Sequence, residues 1–252
     1  MSDILSVVAT AMRADLTRLD QASVNAANAA TPGYRRGSVV SMAFDQTMTQ
    51  AAQGAEARPV EAGMPAWVPV QATLQRVTDL TPGSLMQTGR ALDVAIDGQG
   101  FLRLTDGQRT WLTRTAALQV NADGVLVGPR GLRVVGAEGD IRPGSDQGLS
   151  VQPDGRLMRD GQTVGRIRLV QPVETGSMVS EDGVFFEVGE AQLSGVEDKG
   201  VLRAGFLEGS NTHHLKEMLG VMENVRHFES LIRLAQGYDE VLGRAIQKLG
   251  EV

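Results

Sequence analysis

Between Leu215 and Leu249 eleven apolar residues fall on one line: Leu215, Met218, Met222, Val225, Phe228, Ile232, Ala235, Tyr238, Leu242, Ala245 and Leu249. Their ten steps add up to 34 residues, a mean of 3.4, close to the 3.5-residue repeat of helices that wind on one another. Only a long helix keeps such a line straight. At about 1.5 Å per residue, some forty residues reach roughly 60 Å, too long to lie over a small domain. Thr212 is placed to cap its start, and Lys216, Glu217, Glu223, Arg226, Glu229 and Arg233 clothe its other faces. Ordering such a helix costs entropy at every residue, and only burial of the apolar line offsets that cost. The helix therefore needs an apolar partner.

The other end of the chain supplies a candidate. Residues 3 to 30 place Leu5, Val8, Met12, Leu16, Leu19, Ala22 and Ala26 at steps of three and four, one stripe of a second helix. Pro32 and Gly33 stop it, because proline lacks an amide donor and disfavours helical geometry in the residue before it. Two stripes still leave apolar surface over, so the terminal helices are expected to complete their burial against other molecules. They would then be poorly ordered in the isolated chain and fold on assembly. A simple intramolecular helical hairpin is the competing reading.

The middle of the chain has another period. Residues 37–75, rich in Ala, Gly, Pro and Gln, read as an extended connector. From 76 to 207 short apolar runs such as FLRL, LRVV, RIRLV and VFFEV alternate with turns, and Asp-Gly pairs begin at 97, 106, 123, 154, 160 and 182. Asp-Gly tolerates the positive φ of tight hairpins, which points to antiparallel β-structure. Calcium-binding Asp-Gly repeats would need a fixed period, and these intervals are irregular. The expected fold is α+β: long N- and C-terminal helices in a coiled-coil-like axial domain, and a central, mainly antiparallel β-domain. The boundaries are 1–36 for the first helix and its turn, 37–75 for the connector, 76–207 for the β-domain and 208–252 for the C-terminal helix.

Few kinds of chemistry survive inspection of the residues. A net charge of −6 argues against nucleic acid as a partner, and Arg35-Arg36, two arginines on a turn, read as solvated. There is no cysteine, so disulfides and thiolate chemistry are excluded. No run approaches 18 apolar residues, so no direct membrane span is expected, and MSDILSVVAT lacks the basic start of a secretory leader. His213 and His214 are adjacent and point about 100° apart on a helix, which does not suit a shared metal. Asp93 and Asp97 flank a strand and are too far apart for joint acid–base work. Gly98-Gln99-Gly100 lacks the Lys-Ser/Thr of a phosphate loop and reads as a turn. Met12, Met218 and Met222 lie on helical stripes and read as packing residues. No catalytic residue, metal site or cofactor is expected. The alternative from another class, a secreted β-scaffold enzyme or binding module, would need clustered carboxylates or exposed aromatics, and two Trp and two Tyr make it weak.

Several motifs, taken in order, carry a resemblance. NAANAATPGYRR (Asn25 to Arg36) is similar to the Asn-x-x-Asn-x-x-Thr-Pro-Gly-(Tyr/Phe)-(Lys/Arg) signature of flagellar basal-body rod and hook proteins. TPGSLMQTGRALDVAIDGQGF (Thr81 to Phe101) resembles the central stretch of the same family, with Leu92, Asp93, Asp97, Gly98, Gly100 and Phe101 inside it. WLTR, DGVLV and LRVVG follow in the family's order, and LEGSN brings Glu208, Ser210 and Asn211 before the C-terminal Glu-Met and RHFE. Thr115-Ala116 departs from the usual Asn-Gly, and Thr212-His213 from the usual Val-Asn. Within the family the wording is most similar to proximal rod proteins, with distal rod proteins as runner-up.

The resemblance implies a structural subunit of the bacterial flagellum that transmits torque and self-assembles into part of a hollow drive shaft. Terminal helices would pack about the rod axis with the β-domain outside them. Asn25, Asn28, Thr31, Pro32, Gly33 and Tyr34 would form the corner between helix and body. The implied partners are other rod subunits, the same protein or its paralogues, and the flagellar type III export apparatus. The implied location is the basal body in the periplasmic space, reached without a cleaved signal peptide.

Overall fold

The computed structural model describes residues 2–42, 73–173, 178–180, 182–189, 193–194 and 200–250. Residues 43–72, most of the expected connector, lie outside the described residues. The chain gathers into two compact units. The first comprises Met1–Ala27, Gly37–Val77 and His214–Val252, and the second comprises Asn28–Arg36 with Thr78–His213.

In the first unit, helix α1 (Ser2–Ala27) runs along helix α2 (His214–Gly250), and α1 also packs on strand β1 (Gly37–Met42), which pairs with β2 (Thr73–Thr78). At 37 residues, α2 is roughly 55 Å long. Neither helix is long and apolar enough to cross a membrane. Thr212 does not cap α2, contrary to expectation: its hydroxyl is buried and finds no hydrogen-bond partner among the described residues.

The two helices meet on a face that the apolar spacing identifies from Phe228 onward but misses in the first turns of α2. On α2 the buried and half-buried positions include Glu217, Val221, Asn224, Phe228, Leu231, Ala235, Tyr238 and Leu242, in strict alternating steps of four and three. On α1 the least exposed residues are Val8, Asp15, Ala22 and Asn25, which repeat by sevens and threes. Four of these twelve positions are polar, which is why a count of hydrophobic residues passes them over.

The second unit is mainly antiparallel β-structure. Its first five strands are β3 (Leu85–Gln87), β4 (Asp93–Gly98), β5 (Phe101–Thr105), β6 (Thr110–Thr113) and β7 (Thr115–Ala117). Strand β4 is the middle of a three-stranded sheet between Gly200–Ala204 and β7, with Leu202 opposite Ile96 and Ala116 opposite Val94. Strand β5 belongs to the larger sheet, where it pairs with β6, with Arg133–Gly136 and with Leu169–Pro172. A single residue, Arg114, separates β6 from β7, so the chain leaves one sheet for the other there.

Side chains alternate across the β5–β6 hairpin. Leu102, Leu104 and Trp111 enter the main core with Leu118, Leu126 and Val134. Phe101 and Leu112 enter a second cluster with Val170, Phe186 and Val188, where the Phe101 and Phe186 rings meet edge to face at 6.3 Å. Both faces of the hairpin are thus covered, and β6, TWLT, is buried at all four positions. The turn chemistry is local: Gly98, Gly107, Gly124, Gly155, Gly161 and Gly183, the second residues of the six Asp-Gly pairs, all take positive φ.

Candidate functional site

Three of the sequence motifs meet at one buried carboxylate. Glu208 closes the strand Phe206–Glu208 and is 1% exposed. Its Oε1 accepts hydrogen bonds from Arg35 Nη2 and, at 2.8 Å, from the Gly83 amide. Its Oε2 accepts from Arg114 Nε at 3.1 Å. Arg35 and Arg114 are themselves buried. One buried carboxylate between two buried guanidinium groups leaves a net positive charge, whose cost is offset by bonds to the remaining N–H groups, except at Arg35 Nε, which has no partner among the described residues.

Strand ends provide the acceptors. Arg114 donates from Nη1 to the Gly100 carbonyl at 2.9 Å and from Nη2 to the Gly98 and Ile96 carbonyls at 2.7 and 3.2 Å. The Gly-Gln-Gly turn therefore cups a guanidinium with its carbonyls rather than a phosphate with its amides. Gly98 and Gly100, at φ 107° and 115°, take conformations closed to most side chains. Arg35 donates to the Thr81 carbonyl at 3.0 Å. The expectation of a solvated Arg35 is overturned: the side chain is 1% exposed because strands distant in sequence close over it. Its neighbour Arg36 remains half-buried.

The backbone around this carboxylate is tied just as tightly. The Gly33 amide donates to the Glu208 carbonyl at 2.7 Å, and the Glu208 amide donates to Thr115 Oγ1 at 3.0 Å. Thr115 in turn donates to the Val94 carbonyl at 3.1 Å, so the residue that departs from the family's Asn-Gly joins β4 to Glu208. Gly33 has φ +76°, and a Cβ there would lie 2.6 Å from the Thr115 methyl. Tyr34 is buried, and a Cβ on Gly183 would strike its ring at 2.5 Å. A Cβ on Gly83 would lie 2.0 Å from the Gly209 carbonyl, so the second Thr-Pro-Gly and LEGSN touch backbone to backbone.

Asn211 completes the junction. Its Oδ1 accepts from the Arg36 amide at 2.7 Å, and its Nδ2 donates to the Asp79 and Thr81 carbonyls at 2.9 and 3.0 Å. Asp79 Oδ1 accepts from the Thr81 amide at 2.9 Å and from its hydroxyl at 2.7 Å, and these bonds hold the Asp79 carboxyl below its ordinary pKa. Ser210 Oγ accepts from the Thr212 amide at 3.0 Å.

A second, smaller cluster belongs to the first unit. Asn25, 1% exposed, grips Gly37 at both ends: its Nδ2 donates to the Gly37 carbonyl at 2.8 Å and its Oδ1 accepts from the Gly37 amide at 3.0 Å. The same Nδ2 reaches Glu217 Oε2 on α2 at 3.1 Å, and Gln21 donates to Asn25 Oδ1 at 3.1 Å. In the second unit, Asn28 accepts at Oδ1 from the Thr31 hydroxyl at 3.1 Å. Pro32 sits exposed in the turn that follows.

A family model described as the flagellar hook protein FlgE/F/G D1 domain matches residues 95–159. The flagellar basal-body rod protein FlgF of Salmonella typhimurium is 31% identical over 95% of this chain and 96% of its own length. This chain belongs to the flagellar basal-body rod protein family. FlgF of Escherichia coli is 30% identical with the same coverage, and the rod protein FlgG of Agrobacterium fabrum is 29% identical over 94% of this chain and 95% of its own length. Within the family the rod protein described here is most like FlgF. It is a structural rod subunit and not an enzyme, which removes the secreted enzyme from consideration.

The other singled-out residues of the rod protein scatter over several environments. Asp93 is buried with Arg90 Nε at 3.7 Å, while Asp97 is exposed and bonded to Arg203 Nη2 at 2.6 Å, so the two carboxylates serve different partners. Leu92 packs on the main core. On α1, Val8 is buried, Met12 and Leu19 half-buried, and Leu5 and Leu16 exposed. On α2, Phe228, Ile232, Ala235, Tyr238 and Leu242 are half-buried, whereas Leu215, Met218, Met222 and Val225 face outward. The side chain of Leu249 lies outside the described residues. Sequence reasoning passed over Arg35, Arg114 and Asp15 as site residues. The one available signal was that Arg35 and Arg114 each stand inside a family motif.

Proposed function

We propose that this rod subunit belongs to the proximal part of the basal-body rod and builds it through its terminal helices, which pair as a coiled coil and present further apolar surface to neighbouring subunits. The observation that carries the reading is the outward line on α2. Leu215, Met218, Leu219, Met222 and Val225 are all exposed, from 39 to 79%, at one end of a helix whose other face is already occupied. A row of that kind costs solvation free energy in water and is relieved by a partner of the same character. Leu5, Val7, Leu16 and Val24 add exposed apolar surface on α1.

The partners under this reading are copies of the same chain, other rod subunits and the hook protein, and delivery is by the flagellar type III export apparatus to the periplasmic space. The motif junction at Glu208 serves as the rigid frame on which torque is carried. Asn25, Asn28, Thr31, Pro32, Gly33 and Tyr34 form the corner that joins helix to body.

Val225→Asp tests the reading. Val225 is exposed in the single chain, so the charge leaves the fold and the urea midpoint of the purified protein unchanged, while incorporation into basal bodies and motility are lost. Normal motility with Val225→Asp overturns the assembly face. A distal rod position, raised by the FlgG relative at 29% identity, is separated by crosslinking assembled basal bodies and identifying the neighbouring paralogues.

A further inference from the structure

The helix pair carries two polar contacts at matching positions. Asp15 on α1 is 2% exposed, and its Oδ2 meets His227 Nδ1 of α2 at 2.5 Å. Asn25 on α1 meets Glu217 of α2, which is 3% exposed. Asp15 and Asn25 are ten residues apart along α1, and Glu217 and His227 are ten apart along α2 in the opposite sense. His214 Nδ1 lies 3.2 Å from the Ala26 carbonyl, which continues the series. Three contacts therefore describe one antiparallel register.

Apolar packing does not demand that register. Along α2 the positions against α1 that repeat every seven residues are Val221, Phe228, Ala235 and Leu242, so a slide of one heptad exchanges apolar residues for apolar residues. The polar residues do not permit the slide. Moved one heptad toward the end of α2, Asp15 would face Leu234, and in the other direction Gly220. Arg18, which donates to Asp15 Oδ1 at 3.3 Å, sits on the same helix and moves with it, so it holds the charge in either register and does not discriminate. Only His227 rewards the native one. Likewise Asn25 keeps Gly37, its near neighbour in the chain, but exchanges the Glu217 carboxylate for Asn224.

We infer that the Asp15–His227 and Asn25–Glu217 contacts are register-determining clasps, which commit α1 to its own α2 at a single alignment and reject slipped pairings that the apolar residues alone would accept. The inference goes beyond the assembly reading and does not depend on it, since it concerns pairing within one chain. It does have a consequence for assembly. Where many copies present the same two helices, a pair aligned by these contacts, with Asp15, Asn25 and Glu217 buried and His227 at the exposed edge, leaves its outward apolar surface for other subunits.

The chain has no cysteine, so engineered cysteines report the register cleanly. In the full-length protein, Ala22→Cys with Val221→Cys reports the native alignment and Ala22→Cys with Phe228→Cys reports a one-heptad slip. Under mild oxidation at low protein concentration the native pair is expected to close more than about tenfold faster than the slipped pair, because slipping forfeits two charge-assisted hydrogen bonds. With Asp15→Leu and Asn25→Leu added, the two rates are expected to converge to within about threefold. If that background loses helicity, Asp15→Leu with His227→Leu, which strands neither group and removes one clasp of the two, replaces it, and the preference is expected to fall part of the way. Equal closure of both pairs in the parent protein overturns the inference. An undiminished preference after the clasps are removed also overturns it, because apolar packing would then be setting the register.

Discussion

Glu208→Gln isolates what the junction contributes to stability. The amide keeps the size of the side chain and removes its charge, which leaves Arg35 and Arg114 buried with no anion between them. Removing one member of a buried ion pair typically costs about 3–5 kcal/mol, most of it the penalty on the stranded partner. Here two cations are stranded, and the Gly83 amide keeps an acceptor at the amide oxygen, so the upper part of that range is expected. With a urea dependence of about 2 kcal/mol per molar, the unfolding midpoint should fall by about 2–2.5 M. Against a total of about 5–15 kcal/mol this is a large fraction of domain stability. Asp97→Asn is the control, since its pair with Arg203 is about half exposed on each side and should change stability by less than about 1 kcal/mol. Urea titration followed by tryptophan fluorescence reads both variants. A Glu208→Gln midpoint within about 0.5 M of the parent would refute the account, because the two guanidinium groups would then be content with carbonyls alone.

Further outcomes follow from single positions. Gly33→Ala should destabilise by about 1–3 kcal/mol, since it adds a clash with the Thr115 methyl to the positive-φ cost. Gly89→Ala, at a similar φ but in open space, should cost only about 1 kcal/mol, and Thr115→Ser should narrow the difference; equal losses measured by denaturation would remove the steric argument. The bonds from Thr81 hold Asp79 below its ordinary pKa, so its stabilisation is whole above the ordinary carboxylate range and fades as pH falls through the lower folded-state value. The gap in urea midpoint between the parent and Asp79→Asn should therefore shrink steadily from pH 5 to pH 2, and a gap independent of pH would contradict the bonding. Thr115→Val removes the hydroxyl that links Glu208 to β4 and should cost about 1–3 kcal/mol, read by thermal unfolding.

Much of this protein is written in local rules. Pro32 and Gly33 end a helical run, and the structure ends α1 at Ala27, a few residues short of the pattern. Asp-Gly marks six turns because positive φ is a property of a dipeptide, whatever surrounds it. The motifs themselves are visible as wording. Their meeting is not. Arg35, Arg114 and Glu208 lie 79 and 94 residues from one another along the chain, and whether an arginine on a turn is solvated or buried depends on strands that arrive from elsewhere. The face of α2 is a second instance. Hydrophobic spacing selects Met218, Met222 and Val225, while the packed positions are Glu217, Val221 and Asn224.

From its residues alone the chain determined its two terminal helices and its Asp-Gly turns, because periodicity and backbone preference act over a few neighbours, but not the pairing of β1 with β2, which joins segments read as connector. The tertiary structure decided which charges are buried and which helix face is inward, because desolvation is a property of the space around a group, and distant parts of the chain make that space.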